Sequence, residues 1–430
     1  MRGVGRRPRR ARVRCGPRAH HRHRRPGAAR EEWFMTIYDR LGVRPVVNAA
    51  GTLTRLGGTL MCAEALQAMH EAARSAVVID ELQEAASRVI ARHTGAEAGL
   101  VTSGAFGALV LAAGASIAGL DVRRMNRMPH YGYENGCEIV ICRHHRNSYD
   151  KAFDVAGARL VEVGLLDRAL GVGVREVEPE EIEAVIGPRT VAVAYVAMEG
   201  VGPDLAMVVQ VAHQHGVPVI VDAANQVPPM ENLRRFIAEG ADLVAMSGGK
   251  AFRGPQSSGF LCGRRDLVAS ALLQQVDMDV APASWTPPKE FVQKPLNGVP
   301  RHGFGRGFKV GKEEIAGAVA ALETFISKET DYQKQWADRC QSFAAALAGL
   351  AGVEAIIVPR ETTGRLPLVE LVFPSAAKAA EVSRGLRDGV PSIHLNERRV
   401  GEGRLTFNPV GLDDGQEEVV AAGVRRLLGH

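Results

Sequence analysis

Short apolar runs that alternate with helix-like segments dominate the chain between residues 98 and 263. The runs are rich in Val, Ile and Ala, and they read AGLVTS, CEIVIC, GARLVEV, TVAVAYVAM, VPVIVDAA and ADLVAMS. Segments with helical periodicity separate them, such as GAFGALVLAAGASIAG and LAMVVQVAHQHG. Buried strands that alternate with helices are typical of a mostly parallel sheet covered on both faces. The pattern therefore predicts an α/β fold.

The chain has 430 residues, which is too long for one simple core, and this length favours more than one domain. After residue 310 a long helical pattern leads into shorter strand-like and helix-like segments, which indicate a smaller α+β domain. The predicted organisation is an arginine-rich leader (1–34), an N-terminal arm (35–62), a large domain (63–310), a connecting helix (311–350) and a small C-terminal domain (351–430).

The leader carries twelve arginines and only two acidic residues, Glu31 and Glu32. The whole chain has 53 basic and 48 acidic residues, so the remainder has 41 basic and 46 acidic residues and a net charge of −5. The leader has no apolar core, which excludes a secretory signal. A nucleic-acid-binding arm or a transit peptide is an alternative, but we interpret the leader as a disordered segment outside the translated protein, whose true start is Met35. The mildly acidic body argues against a nucleic-acid partner.

Cysteine spacing and hydropathy place further limits on the protein. The six cysteines form no CxxC pair and no metal-ligand spacing, so we expect no metal site and a reducing cytoplasm. Residues 99–120 carry no charge and are long enough to span a bilayer, but they include five glycines. A strand followed by a buried helix explains this stretch better than a membrane span.

Three of the predicted strands end in polar residues. Ser103 and Gly104 lie where a strand turns into a helix that starts near Ala105, and such a junction offers backbone N–H groups to an anion. Asp222 ends VPVIVD, and Lys250 follows DLVAMSGG. Taken alone, the serine is an ordinary helix cap and the two charged residues are solvated strand ends.

Together these residues have the chemistry that pyridoxal 5′-phosphate requires. In open parallel sheets ligands bind at the carboxyl ends of strands, so the three groups are expected to meet there. A lysine holds the cofactor aldehyde as a Schiff base, and an aspartate keeps the pyridine nitrogen protonated. The helix start and Ser247, three residues before Lys250, bind the phosphate.

The motifs resemble those of fold-type I pyridoxal phosphate enzymes. Within that group they are similar to the branch of bacterial L-seryl-tRNA(Sec) selenium transferase and D-glucosaminate-6-phosphate ammonia-lyase. The residues that carry the resemblance are VVNAAGTLTRLGG, GLVTSGAFGAL, RHHRNSYDKAFDVAGA, VIVDAANQVP, DLVAMSGGKAFRGPQSSGFLCGR and GRGFKVGKEEIAGAVAALE.

The resemblance implies roles for individual residues. Lys250 is the Schiff-base lysine and Asp222 the partner of the pyridine nitrogen. A ring from CRHHRN stacks on the cofactor, and we favour His145 over His144. Asn225 is a further expected cofactor contact.

Substrate contacts are implied in the same way. Arg306 and Lys309 match a basic pair that binds an anion, and Arg404 matches a small-domain arginine that holds a substrate carboxylate. Gly58 departs from the selenium transferase pattern, which has an arginine there, and no folded N-terminal domain precedes the arm. Both departures argue against a tRNA substrate.

We therefore predict a lyase that acts on a small hydroxy amino acid or amino sugar acid by α-proton removal and β-elimination. β-Replacement, racemisation, retro-aldol cleavage and transamination remain alternatives, because one cofactor supports them all. Non-catalytic nucleic-acid binding is the alternative from another class. We expect no membrane partner, and a homodimer or higher even oligomer.

Overall fold

The computed structural model describes residues 36–165, 177–198, 200 and 202–429. The predicted leader and the proposed start at Met35 lie outside these residues. The chain divides into two units, residues 1–45 and 46–430. The described part of the first unit contains a short helix, α1 (Ile37–Leu41), and Thr36 caps its start through a hydrogen bond from the backbone N–H of Asp39.

The second unit contains the remaining elements. Its strands are β1 (Val46–Ala49), β2 (Ala98–Thr102), β3 (Glu138–Cys142), β4 (Arg159–Val163), β5 (Thr190–Val196), β6 (Val219–Asp222), β7 (Leu243–Ser247), β8 (Gly259–Gly263), β9 (Glu354–Val358), β10 (Leu368–Val372), β11 (Ser392–Leu395) and β12 (Arg404–Phe407). Its α-helices are α2 (Ala63–Ala72), α3 (Ile79–Thr94), α4 (Ala105–Ala118), α5 (Val122–Met125), α6 (His130–Glu134), α7 (Lys151–Val155), α8 (Pro179–Glu183), α9 (Leu205–Gln214), α10 (Asn232–Ala238), α11 (Arg265–Leu273), α12 (Lys312–Ser327), α13 (Glu329–Ala346), α14 (Arg360–Thr363), α15 (Ala376–Asp388) and α16 (Gln416–Leu427).

A seven-stranded sheet in the order β2-β8-β7-β6-β5-β3-β4 is the largest sheet of the second unit, and all its strands lie within the predicted large domain (63–310). All neighbouring pairs are parallel except the two that involve β8, which runs antiparallel to both β2 and β7. The strands are apolar because helices cover both faces of the sheet, and the two faces belong to two separate hydrophobic clusters. The predicted α/β architecture is confirmed. The strand β8, GFLCG, was not predicted from the sequence.

The uncharged stretch 99–120 forms β2 and then α4, as predicted. Every residue of β2 is buried, and nearly all of α4 is buried with it, which explains the absence of charge. In the part of the chain that the structure describes, no helix combines the length and the apolar character needed to cross a membrane.

The structure contains two small sheets, one built from C-terminal strands and one that joins the two ends of the second unit. In the first, β12, β10 and β9 pair antiparallel in that order. In the second, β1 from the predicted arm pairs parallel with β11, with Val46 opposite Ser392 and Ala49 opposite Leu395. The buried residues of β1 and β11 join one hydrophobic cluster with α13, α15 and α16. Residues 46–49 thus pack within the C-terminal region of their own chain.

The predicted connecting helix, 311–350, forms two helices. α12 ends at Ser327 and α13 starts at Glu329, because Lys328 has φ −114° and ψ 15°, outside the α-helical region. Ile315 and Phe325 of α12 share a hydrophobic cluster with Tyr332 and Trp336 of α13, whereas Cys340 and Phe343, further along α13, belong to the C-terminal cluster. α13 therefore contributes to both clusters.

Candidate active site

The carboxyl ends of β2, β6 and β7 lie at one edge of the seven-stranded sheet, since these three strands run in the same direction. Gly259 of β8 lies between two of them and is the residue opposite both Thr102 and Ser247. On the other side of β7, Asp222 is opposite Ala245. The sheet therefore brings the predicted phosphate-binding residues and the predicted acid to one edge.

Glycines make a narrow cradle at the end of β2. Gly104 has φ +91° and precedes α4, so the free N–H groups of the first turn of that helix face the turn. A Cβ on Gly259 would lie 2.5 Å from the carbonyl carbon of Gly104, and a Cβ on Gly107 would lie 2.9 Å from Oγ of Ser103. Ser103, Gly104 and Ala105 are half-buried. The glycines thus allow the end of β2, the start of α4 and β8 to pack closely, and the phosphate-binding role of this turn stays a prediction.

Asp222 ends β6 and lies at the edge of the large-domain core. Burial raises the pKa of its carboxyl group, and two smaller influences lower it, the backbone N–H of Ala224 and the charge of Lys250. The Ala224 N–H donates to Oδ1 of Asp222 at 3.0 Å. A positive group beside this carboxylate, such as a protonated pyridine nitrogen, would favour its charged form. Asn225 is half-buried three residues further along the same edge.

Lys250 follows β7 and is half-buried. Burial lowers the pKa of its amine, Asp222 partly opposes that change, and the positive charges of Arg365 and Arg398 lower it further. A lowered pKa increases the fraction of neutral amine, which is the form that attacks an aldehyde and that accepts a proton. The structure thus brings Lys250 and Asp222 close enough to influence each other's charge.

The backbone of Lys250 is held by the predicted arm. Its carbonyl oxygen accepts hydrogen bonds from Oγ1 of Thr59 at 2.6 Å and from the N–H of Arg253 at 2.9 Å. Arg253 is the non-glycine residue with positive φ (58°) in the described chain, and its Nε donates to the carbonyl of Leu60 at 3.0 Å. Positive φ costs free energy at such a residue, and strained residues of this kind concentrate at functional sites.

Gly58 explains the departure from the selenium transferase pattern. It has φ +73°, and a Cβ at this position would lie 2.7 Å from the carbonyl oxygen of Gly249 and 1.9 Å from Oε1 of Gln256. An arginine here would force residues 57–59 away from the lysine loop. The glycine is therefore required by the close packing of the arm on that loop.

The histidine pair lies directly after β3, in a 3₁₀ turn. His145 is fully buried, its Nδ1 accepts a hydrogen bond from the N–H of Val196 at 3.4 Å, and its ring meets that of Tyr195 edge-on with centroids 4.6 Å apart. A Cβ on Gly202 would lie 2.2 Å from its Nε2. His144 is 7% exposed. The stacking role of His145 stays a prediction, although a ring that stacks on a cofactor needs one open face.

Arg306 and Lys309 line another cavity, of about 580 Å³, and among the described residues of its wall neither Lys250 nor Asp222 is present. Arg306 forms an ion pair with Asp277. The cavity lies close to the phosphate cradle. Phe308 precedes the cavity residue Lys309, and a Cβ on Gly107 would lie 3.5 Å from the ring of Phe308. An anion-binding role for this basic pair stays a prediction.

Arg404 lies on β12 and forms an ion pair with Glu370 of the neighbouring strand. The guanidinium of Arg398, in contrast, has no hydrogen-bonded or ion-paired partner among the residues described, and its charge acts on Lys250. Arg398 and Arg365, whose charges lower the pKa of Lys250, are candidate site residues that sequence reasoning missed. The only signal for Arg398 was a basic pair in the turn NERRVG.

Comparisons with known proteins fit this geometry. The sequence pattern of the class-V aminotransferases matches residues 144–358. A 5'-C-glycyluridine monooxygenase-decarboxylase from a Streptomyces species is 33% identical over 425 residues, which is 95% of each chain. D-glucosaminate-6-phosphate ammonia lyase from Salmonella typhimurium is 30% identical and covers 92% of this chain and 98% of its own.

Solved structures give the same result. A structure of D-glucosaminate-6-phosphate ammonia-lyase matches 92% of this chain and 98% of its own with a TM-score of 0.74 and 29% identity. A cysteine desulfurase from Thermococcus onnurineus, 18% identical, matches with a TM-score of 0.53 and supports the fold alone. L-seryl-tRNA(Sec) selenium transferase from Rhizobium meliloti is 27% identical, over 54% of this chain.

Proposed function

The chain belongs to the class-V aminotransferase family of fold-type I pyridoxal 5′-phosphate enzymes, and on that premise we propose that it is a lyase that releases ammonia from a β-hydroxy amino acid of the amino sugar acid type. The observation that carries the proposal is the pair formed by Lys250, whose pKa is lowered by burial, and Asp222, whose charge acts on it. A neutral lysine is both the nucleophile that binds the cofactor and a base for the α-proton.

Bound pyridoxal phosphate draws electrons from the bonds at the α-carbon of an amino acid. The residues of this chain supply the rest. Ser103, Gly104 and Ser247 hold the phosphate, and the Asp222 carboxylate keeps the pyridine nitrogen charged. With the substrate amine in the position that the lysine amine held, Lys250 would accept the α-proton. Loss of the β-hydroxyl as water and return of one water give a keto acid and ammonia, so the reaction needs no oxidant.

The substrate class is supported by the two relatives that match most of the chain. Their names specify D-glucosaminate-6-phosphate and 5'-C-glycyluridine, each an α-amino acid whose side chain is a sugar or a sugar-derived chain. Among the described residues the guanidinium of Arg398 has no partner, so we expect it to bind a substrate carboxylate near Lys250, whereas Arg404 is already paired with Glu370.

A second candidate, oxidative decarboxylation, is favoured by the Streptomyces relative, whose name gives a monooxygenase-decarboxylase and which is 33% identical over 95% of this chain. That reaction consumes dioxygen and releases carbon dioxide. Of the other outcomes, β-replacement is the one that the selenium transferase relatives favour, over about half of the chain.

The test supplies D- and L-forms of serine, threonine and glucosaminate to the holoenzyme, with and without dioxygen. A lyase produces keto acid and ammonia in equal amounts in both conditions. Turnover that stops without dioxygen and releases carbon dioxide supports the second candidate instead. No keto acid or ammonia from any of these compounds would contradict the lyase.

The proposal includes a cytoplasmic location and a homodimer or higher even oligomer. The location is supported by the five described cysteines, all of which are buried and unpaired by disulfides. The assembly is supported by an exposed apolar edge at Val78, Ile79 and Val280, beside the cavity of Arg306.

A further inference from the structure

A polar cavity of about 380 Å³ lies beyond the carboxyl ends of β5 and β6. Tyr195 and Gly202 form part of its wall, and both also contact His145, so the cavity adjoins the residues of the candidate site. Its size is within the range of small-molecule pockets in proteins.

Arg365 connects this cavity with the reacting amine. It lines the cavity, and its Nε and Nη2 point to the carbonyl oxygens of Pro228 and Val227 at 3.3 and 3.4 Å, in the loop that follows Asp222. Its positive charge also acts on Lys250. Arg365 thus places the cavity next to the loop that follows Asp222, as Tyr195 and Gly202 place it next to His145.

The wall offers groups that suit hydroxyls. Asp204 occupies the N-cap position of α9, yet its side chain accepts no capping hydrogen bond, so its exposed carboxylate is available as an acceptor. Asn232 is 7% exposed and uses its Nδ2 to donate to the carbonyl of Gln226 at 2.7 Å, which leaves its oxygen as a further acceptor. Arg365 supplies donors. A wall that holds both donors and acceptors matches a chain of hydroxyl groups better than an apolar side chain.

We propose that this cavity binds the hydroxylated tail of the substrate, with Arg365 and Asp204 as residues that determine its specificity. The proposal rests on the proposed function, because it assumes that an amino acid reacts at Lys250. It assigns to the protein a preference for amino acids with long polyhydroxylated side chains over short ones such as serine.

The test measures binding of two unreactive acids to the holoenzyme by calorimetry. Gluconate has a carboxylate and a hydroxylated tail, and lactate has the carboxylate with no such tail. We expect the wild type to bind gluconate more tightly than lactate. Arg365→Gln and Asp204→Ala each reduce this ratio about tenfold, since each removes hydrogen bonds that involve a charged group. Arg360→Gln is the matched control, because Arg360 lies outside the cavity with only a 4.0 Å ion pair to Glu231.

Equal affinity of the wild type for the two acids, or an unchanged ratio in both variants, would overturn the proposal. Asp204 is exposed, so its variant remains informative if Arg365→Gln fails to fold. Neither acid reacts, so this result is independent of which reaction the enzyme performs. If the holoenzyme shows no lyase activity but still prefers gluconate, the proposed reaction is contradicted and the cavity assignment stands.

Discussion

In the folded chain, burial disfavours the charged forms of Asp222 and Lys250. Burial raises the pKa of Asp222 and lowers that of Lys250, so each buried group tends toward its neutral form. A cationic pyridine ring at Asp222 and an aldehyde at Lys250 would reverse both penalties. We therefore expect the two residues to lower the stability of the cofactor-free protein and to favour cofactor binding.

Asp222→Asn tests this trade-off. We expect turnover to fall at least about a hundredfold while cofactor affinity falls much less, because the ring loses the partner that keeps its nitrogen protonated. The pKa of Asp222 in the folded protein lies above the unfolded value of 3.8, so its stabilising contribution is present below pH 3.8 and is lost as the pH rises through the folded pKa. Without cofactor, the variant should therefore melt at a higher temperature than wild type at neutral pH, with no advantage below pH 3.8. Equal turnover of variant and wild type would remove this role.

Arg398→Gln tests the charge near the lysine. The positive charge of Arg398 lowers the pKa of Lys250, so its removal raises that pKa, and a higher pH is then needed for the neutral amine. The pH midpoint for addition of pyridoxal phosphate to cofactor-free protein should move upward, and lactate should bind about tenfold more weakly. Arg399→Gln is the control, since Arg399 pairs with Glu402 and Glu370. The same midpoint in both variants would contradict the assignment.

At the scale of elements, the arm fixes the lysine loop. The carbonyl of Gly58 accepts a hydrogen bond from Nδ2 of Asn48 at 2.8 Å, and Thr59 reaches the carbonyl of Lys250. Gly57 and Gly58 both have positive φ, but a Cβ meets nothing within 4 Å at Gly57 and meets the Gly249 carbonyl at 2.7 Å at Gly58. A comparison of substitutions at the two glycines therefore separates the cost of backbone strain from the cost of steric contact with the loop.

Alanine substitutions at these glycines give different expected costs. Gly57→Ala should lower the free energy of unfolding by about 1 kcal/mol, from backbone strain alone. Gly58→Ala should lower it by roughly 2–4 kcal/mol and weaken cofactor binding, because the loop must move. Urea unfolding and cofactor titration measure both effects. Identical losses in the two variants would show that the arm does not position Lys250.

The strands that carry the site could be predicted from the sequence, because apolar runs end in Ser103, Asp222 and near Lys250 and parallel strands share an edge. Other features were not visible. β8 is short and has a glycine at each end, and the pairing of β1 with β11 joins residues more than 300 positions apart. One helical pattern across 311–350 gave no sign of the break at Lys328.

At the scale of the whole molecule, the site draws on distant parts of the chain. Thr59 comes from the arm, Asp222 and Lys250 from the large sheet, and Arg365 and Arg398 from the C-terminal region. Sequence spacing predicted the central pair, whereas the family resemblance implied Arg404 as the small-domain arginine, and that role stays a prediction. Which of several arginines faces Lys250 depends on tertiary packing, and the ion pair of Arg404 with Glu370 is not a property of local sequence.

The oligomer is a prediction at this scale. The exposed residues Val78 and Ile79, 58% and 40% exposed, support a partner. Light scattering at micromolar concentration should give at least twice the chain mass of 46.1 kDa. Val78→Asp should lower that mass, and a wild-type monomer with full activity on dilution would contradict the prediction.

The central claim is that Lys250 holds the cofactor. Reduction of the holoenzyme with borohydride, followed by peptide mass spectrometry, tests it directly. We expect the pyridoxyl group on the peptide that contains Lys250, and loss of both this label and the absorbance at about 420 nm in Lys250→Ala, with the fold retained. A label on another lysine, or substantial turnover by Lys250→Ala, would contradict the account.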